Sequence, residues 1–409
     1  MHKLRHVVVL SAITLSACAT APRAVLMGPI PAARPEKRPD VRVLTFNTGL
    51  APGLVRYSSQ RQPLVTKEVA GQDADIVCLQ EVWTDQSREA VITALGLPPA
   101  NFLYADTHGQ NETGRDYCEP GEMNSMLSCV RKRCADEAPE DLTICASNEC
   151  VEEGTILYLR SRSCLNCVVA SVGKSQSEIV RACGGPPGVS RVYGGNNGVI
   201  LASRWPLLDK EVLPLPASST NRVALLAGVE VPGKGRIEVA CTHISSKASV
   251  SPTNPEFGDW TEEQQTQLRL ISEKLASRGR DRPQLLIGDL NFSQRNDAIG
   301  VSALMWSTWR LAADLGFVSP GEYAEPPFCS WCSSNRLAGD VEDHLIDHVM
   351  VRNATPGMTP FSALTRDAVA PVCAYPVFRE PVPLTDHRGR PVVTNLSDHY
   401  GLIVEFDLR

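Results

Sequence analysis

The chain has no excess of positive charge, no apolar stretch long enough to cross a bilayer and no internal repeat. Its 409 residues hold 40 Lys and Arg against 46 Asp and Glu, a formal net charge of −6. That balance removes the bulk basic character that draws proteins to nucleic acid, and the charge becomes about −8 if Lys3 and Arg5 leave with an export signal, since no acidic residue precedes Cys18. The N-terminal apolar stretch, Val7 to Leu15, is far shorter than the roughly 20 residues a membrane helix needs. Without a repeat the chain is not a solenoid. With 43% hydrophobic and 21% charged residues it can bury a large core and does not read as disordered. No second break in composition follows residue 190, so a single α/β domain with an insertion is the economical reading.

The first residues, MHKLRHVVVLSAITLSA, pair a short basic start with an apolar centre and a small-residue end, the pattern of an export signal over 1–17. Leu15-Ser16-Ala17-Cys18 resembles the lipobox of bacterial lipoproteins, which implies acylation of Cys18 and a membrane-anchored protein at the outer membrane or cell surface. The alternative is an ordinary secretory signal and a periplasmic or secreted chain. Residues 18–40, with five prolines after Cys18, read as a tether, and 41–409 as the folded domain.

Thirteen cysteines remain after Cys18, and eight of them lie between Cys118 and Cys183. In an exported chain eight are enough for four disulfides of open connectivity, so the polar segment at about 106–190 is expected to be a disulfide-stapled surface insertion. Two CxxC pairs, Cys164/Cys167 and Cys329/Cys332, lack the partnering His pattern of a zinc site. An odd total calls for one free thiol. Cys78 and Cys241, inside apolar strands, are the expected ones.

Outside the insertion, apolar strands end in polar residues: VRVLTFN at Asn47, DIVCLQE at Glu81, EVACTH at His243 and LLIGDLN at Asp289 and Asn291. The two-residue spacing of Asp289 and Asn291 predicts that both face one rim. HLIDHVMV supplies Asp347, and NLSDHYG supplies Asp398 and His399. Helices are expected over Gln60 to Ala70, Thr84 to Leu95, and the WTEEQQTQLRLISEKLASR stretch, with its early acids and closing Gly279. The strand GVILASRW is expected to turn at Trp205-Pro206.

Hydrolysis of a phosphodiester needs neutralised phosphoryl oxygens, an activated water and a stabilised leaving oxygen. Asn47, Glu81, Asp289, Asn291 and Asp398 form an oxygen-rich set of the kind that holds a hard divalent cation. His243 can offer a cation to the phosphate, His399 a general base, and Asp347 a carboxylate to orient it.

These segments, with LQEVW, NGVILASRWP at Asn197, GDLNFS, IDHV and LSDHYG in order, resemble the endonuclease/exonuclease/phosphatase superfamily. The resemblance implies a four-layered α/β sandwich, two packed and mostly antiparallel sheets flanked by helices. It also implies Mg2+, or Mn2+, on Glu81 with Asn47 and help from Asp398. His399 would be the general base polarised by Asp347, Asp289 and Asn291 would position water and phosphate, and His243 would stabilise the phosphoryl oxygens. Within the superfamily the chain is similar to neutral and bacterial sphingomyelinases in EVW, in SWCSSNRLAGDVEDHLIDHVMV and in DHRGRPVVTNLSDHYGL. Arg222 replaces their usual Lys-containing segment as a bidentate phosphate ligand, Ser245 replaces a Gln and His348 a Tyr. Three readings follow: a sphingomyelinase-like lipid phosphodiesterase of phospholipase C type, an exported Mg-dependent nuclease, and a non-catalytic surface binding module. The nuclease reading would need a basic strip at the rim, and the basic clusters at 131–133 and 160–162 both lie in the insertion.

Overall fold

Every core strand of this chain buries both faces, which is why its apolar runs are continuous where a half-exposed strand would alternate. The computed structural model describes residues 38–107, 116–189, 191–218, 220–247, 256–324, 326–352 and 369–408. The expected signal, the Cys18 anchor and nearly all of the tether lie outside them. In chain order the elements are β1 (Val41–Leu50), α1 (Ser58–Ala70), β2 (Ile76–Val82), α2 (Asp85–Leu95) and β3 (Phe102–Tyr104), then the insertion helices α3 (Asn124–Arg133), α4 (Leu142–Glu149), α5 (Val151–Arg160), α6 (Arg162–Ala170) and α7 (Gln176–Cys183). After these come β4 (Ile200–Ser203), β5 (Leu207–Leu215), β6 (Arg222–Val231), β7 (Gly235–His243), α8 (Trp260–Arg278), β8 (Gln284–Asp289), α9 (Trp306–Asp314), β9 (Asp347–Arg352), β10 (Val369–Val377), β11 (Val382–Thr385), β12 (Pro391–Thr394) and β13 (Gly401–Leu408).

One sheet has the strand order β10-β13-β1-β2-β4-β3 and the other β5-β6-β7-β8-β9, with β11 and β12 as a separate hairpin. Alternate residues sort the layers. Val41, Val43, Ile76, Leu225, Val239, Leu285, Ile287 and Val404 fill the space between the sheets. Leu44, Phe46, Val77 and Ile403 point outward to Val65, Val69 and Val91 of α1 and α2, while Leu226, Ala240 and Leu286 meet Leu268, Ile271 and Leu275 of α8. The result is the expected helix–sheet–sheet–helix sandwich. The expected turn at Trp205-Pro206 carries the chain out of β4 in one sheet and into β5 in the other.

Between β3 and β4 the polar segment forms five helices stapled by Cys118–Cys164, Cys129–Cys150, Cys134–Cys145 and Cys167–Cys183. Its two small apolar clusters are built around these cysteines; the staples do much of what a larger core does elsewhere. The insertion leans on the loop after β1, where Tyr193 donates to the Pro52 carbonyl at 2.9 Å and Arg56 pairs with Glu137 at 3.1 Å.

The cysteine expectation needs one correction. Cys78 and Cys241 are not free: they are disulfide-bonded across the two sheets, from β2 to β7, with Cα atoms 5.6 Å apart. Facing strands bring them to the separation a disulfide requires, although they stand 163 positions apart in the sequence. Cys373 is disulfide-bonded as well, and no described cysteine is free. Neither CxxC is a zinc pair, because Cys329 and Cys332 bond to each other while Cys164 and Cys167 pair elsewhere.

Candidate active site

The rim of the sandwich where β1, β2, β7 and β8 end is also where β9 and β13 begin. Parallel pairing of β7 with β8 and antiparallel return of β9 set His243, Asp289 and Asp347 in one row across the sheet. His243 Nε2 lies 3.4 Å from Asp289 Oδ2. From the other sheet Asn47 Nδ2 donates to the same oxygen at 2.9 Å. His399, just before β13, turns Nδ1 to Asp347 Oδ2 at 2.8 Å, leaving Nε2 at 3.5 Å from Asn47 Nδ2 and 3.9 Å from Asp289 Oδ2.

Asp289 and Asn291 do not share an extended face. The strand ends at Asp289, and Asn291 sits in a left-handed turn at φ 49°. Its N–H donates to Asp289 Oδ1 at 3.1 Å and its amide to the Ile244 carbonyl at 3.2 Å. Helix α8 fixes this turn from outside: Gln264 Nε2 donates to the carbonyls of Asn291 and Ser245 at 3.0 and 2.8 Å. Glu81 also stands at a positive φ, 58°. Such strain in non-glycine residues persists where packing over-determines it, which is common at active sites.

Burial and the Asp347 carboxylate push Asp289 up to about 7. Burial disfavours a charged His399, but the charge of Asp347 and its hydrogen bond, with Asp289 and Asp398 behind them, outweigh it and hold the imidazolium well above its usual range. His243 behaves differently. Burial and the Arg222 guanidinium keep it well below its ordinary value, so it meets the rim as a neutral ring rather than the cation expected from sequence. The cation on that side is Arg222.

Burial and the neighbouring charge of Asp398 raise the pKa of Glu81. Asn47 Oδ1 accepts the Gly49 N–H at 3.1 Å, and Ser397 Oγ donates to Asp398 Oδ1 at 3.0 Å. Gly49 is at φ 53°, and a Cβ there would stand 2.7 Å from Asp398 Oδ1. Beneath lies Arg61, fully buried, donating to the carbonyls of Thr48, Leu396 and Gly49 while its charge faces Asp398 and Glu81. Two crowded carboxylates and an amide oxygen suit a hard cation, whose charge would relieve their repulsion. Asp289, Asp347 and His399 also place one donor atom each within 4.8 Å of one another. Asp347 Oδ2 and His399 Nδ1 already bond each other and Asp289 Oδ2 accepts from Asn47, so the group makes a proton relay more readily than a cage.

Arg222 is buried, and its Nε and Nη1 have no hydrogen-bond partner. Unpaired guanidinium nitrogens are costly unless an anion completes them. Asn197 does not join them: its amide donates to Ala105 O and Thr107 Oγ1 at 2.8 and 3.1 Å and its Oδ1 accepts from Val199 N at 3.0 Å.

Sequence reasoning missed several contributors. Trp331 stacks on His399 with ring centroids 6.2 Å apart, and Ser330 Oγ accepts the N–H groups of Ile346 and Asp347 at 3.0 Å each. Both lie inside SWCSS, so the motif was visible and its contacts were not. His348, the replacement for Tyr, bonds Ser319 Oγ at 2.9 Å and the Phe292 carbonyl at 3.0 Å, tying down the loop that carries Asn291. Arg61 gave no signal, because its partners are backbone carbonyls, those of Arg56, Thr48 and Gly49 nearby and that of Leu396 near the other end of the chain.

The fold is similar to several solved structures. One is SmcL, with 12% identity over 90% of this chain and 99% of that one and a TM-score of 0.51. Another is a mutant beta toxin from Staphylococcus aureus with bound magnesium ions, with 13% identity over 90% and 99% and a TM-score of 0.50. A third is D. rerio TDP2 with a single-strand DNA product, with 14% identity over 90% and 98% and a TM-score of 0.47. At these identities the likeness is one of fold. No curated protein matches in sequence. The sequence pattern of the Endonuclease/Exonuclease/phosphatase family spans residues 44–399, from β1 through the His399 imidazole, and on that match the chain belongs to this family and is a phosphodiesterase-type hydrolase.

Proposed function

We infer that the chain is an exported, metal-dependent phospholipid phosphodiesterase of sphingomyelinase type. The observation that carries the chemistry is the pairing of His399 with Asp347 at 2.8 Å on the same rim as the Glu81 and Asp398 carboxylates and the unpartnered nitrogens of Arg222. Glu81, Asn47 and Asp398 would hold Mg2+ or Mn2+, which would neutralise phosphoryl charge and screen the carboxylates that keep His399 protonated. Arg222 and the neutral His243 bind phosphoryl oxygens. Asn291 and Asp289 orient the water, and His399 takes its proton through Nε2 while Asp347 holds Nδ1. Export is supported by the six disulfides among the described cysteines. The lipid reading rests on the EVW, SWCSSN and DHRGRPVV segments and on the acidic net charge, since a zwitterionic headgroup needs no basic track.

The test is a panel of sphingomyelin, phosphatidylcholine, DNA and RNA with magnesium, run with EDTA and with Glu81→Gln. Sphingomyelin is expected to be cleaved, EDTA to stop turnover, and Glu81→Gln to lose activity by orders of magnitude at an unchanged melting temperature. Preferential cleavage of nucleic acid would replace the lipid reading with the nuclease one. A fully active Glu81→Gln would remove the metal assignment.

A further inference from the structure

The insertion encloses a groove of about 720 Å³ between its helices and the start of α8, lined by Met126, Leu127, Val130, Ala146, Leu165 and Val169 among others. We propose that this groove binds the hydrocarbon chain of a lipid, a binding site separate from the phosphodiester rim; as a substrate subsite it rests on the lipid reading above.

Three observations carry it. The first is chemistry. Volume and apolar lining fall in the range of ligand pockets, and three of the polar side chains at the walls are already engaged. Thr155 Oγ1 donates to the Val151 carbonyl at 2.8 Å, Ser147 Oγ to the Ile144 carbonyl at 2.9 Å, and Asp259 caps α8 by accepting from Glu262 N at 2.9 Å. A peptide backbone or nucleotide would be stripped of water there with little to bond to, whereas an alkyl chain gives up nothing. Two methionines at one end, Met123 and Met126, supply adaptable apolar walls.

The second is position. Trp260 lines the groove, and Gln264, one helical turn or about 6 Å further along α8, is the residue that ties down Asn291 and Ser245. On the other side of the insertion, Val172 and Gly173 pack against Gly53, in the loop just after Gly49 and the Asp398 carboxylate. Groove and rim thus share two connecting elements, α8 and the loop after β1, and the vesicle assay below reads engagement of both by one lipid.

The third is the surface. Val151, Tyr158, Leu159 and Val180, all on the insertion, are among the ten large hydrophobic side chains left exposed among the described residues, and Val151 and Tyr158 also border the groove. Two of the groove's own lining side chains, Val151 and Tyr158, are thus apolar and exposed, which suits entry of a hydrocarbon chain from outside.

Gly154 provides the test. It lines the groove, and a Cβ there would meet only Met126 Cε, at 3.7 Å. Gly154→Leu therefore adds bulk to the groove at a position whose Cβ meets no clash and where leucine favours the helix. Ala146→Leu is the independent second variant. Two readouts on the full chain are needed: fluorescence of a pyrene-tagged long-chain alcohol, which has no phosphate, and kcat/KM on sphingomyelin vesicles compared with soluble bis(p-nitrophenyl) phosphate. The alcohol is expected to bind wild type saturably and at least tenfold more weakly to both variants. Vesicle turnover is expected to fall at least tenfold, with the soluble diester unchanged within twofold. Failure of the alcohol to bind wild type overturns the groove, even if sphingomyelin is cleaved. Binding of the alcohol without cleavage of any lipid keeps the groove and removes the lipid-substrate reading. A chain that is dimeric in wild type and monomeric in Gly154→Leu would assign the groove to a second copy and overturn the proposal.

Discussion

Asp289 sits at the meeting of three charged or polar partners from different strands, and its burial gives it a proton affinity tuned to neutral pH. It is therefore the rival to His399 as the proton acceptor. His243 is the weaker candidate, because burial and the Arg222 guanidinium hold its pKa well below the ordinary value and so oppose uptake of a proton. If His399 is the base and Asp347 its partner, His399→Ala and the double variant with Asp347→Asn should be equally inactive, and Asp347→Asn alone intermediate. Fully additive losses in that cycle would show two independent residues. If the alkaline plateau of the pH–rate profile survives in His399→Ala and vanishes in Asp289→Asn, the base is Asp289.

The same carboxyl makes a stability prediction. Its pKa is about 7 in the folded chain and about 4 unfolded, so the proton it retains on folding stabilises fully below about pH 4, and that contribution is lost as pH rises through about 7. In EDTA, Asp289→Asn should melt close to wild type at pH 5 and above it at pH 8. Equal melting temperatures at pH 8 would show that the carboxylate is not held under strain.

At the scale of elements, the four-residue loop Cys329 to Cys332 is a positioning device. Ser330 anchors the backbone of Asp347, Trp331 stacks on His399, and the Ser330 carbonyl accepts from Tyr400 N at 2.7 Å. The disulfide holds both contacts in one rigid turn. Replacing both cysteines by serine should lower kcat by roughly 10- to 100-fold, the cost of a small displacement of catalytic groups, with KM and melting temperature nearly unchanged. A proportional loss of melting temperature would reduce the loop to scaffold. Helix α8 has a comparable double duty. Its apolar side packs on the second sheet, while Gln264 and Gln267 hold the loops after β7 and β8.

At the scale of the molecule, one disulfide joins the two sheets and four build the insertion. Cys78–Cys241 closes a loop of 163 residues through the centre of the core, and removing it as a Cys78→Ala/Cys241→Ala pair should lower stability by about 2–4 kcal/mol, measured by urea unfolding with the m-value checked. A change below about 0.5 kcal/mol would mean that packing alone holds the sheets in register.

The sandwich was legible in the sequence because burial of both strand faces leaves long apolar runs, and polar residues that close such runs mark one rim. Asn47, Glu81 and Asp289 close such runs, whereas His399 came from the NLSDHYG motif that precedes a strand. Three things were not legible. The left-handed turns at Glu81 and Asn291 depend on backbone torsion that residue type does not encode. The contacts of Arg61 with Leu396, of Ser330 with Tyr400 and of Trp331 with His399 join positions far apart in the chain. The thiols of Cys78 and Cys241 met only because strands from different sheets face each other across the core. Local composition determined the strands, the family motifs and the number of staples in the insertion. Tertiary structure alone decided the cysteine partners, the proton affinities of His243, Asp289 and His399, and the existence of an apolar groove, since each depends on burial and on charges brought close by folding.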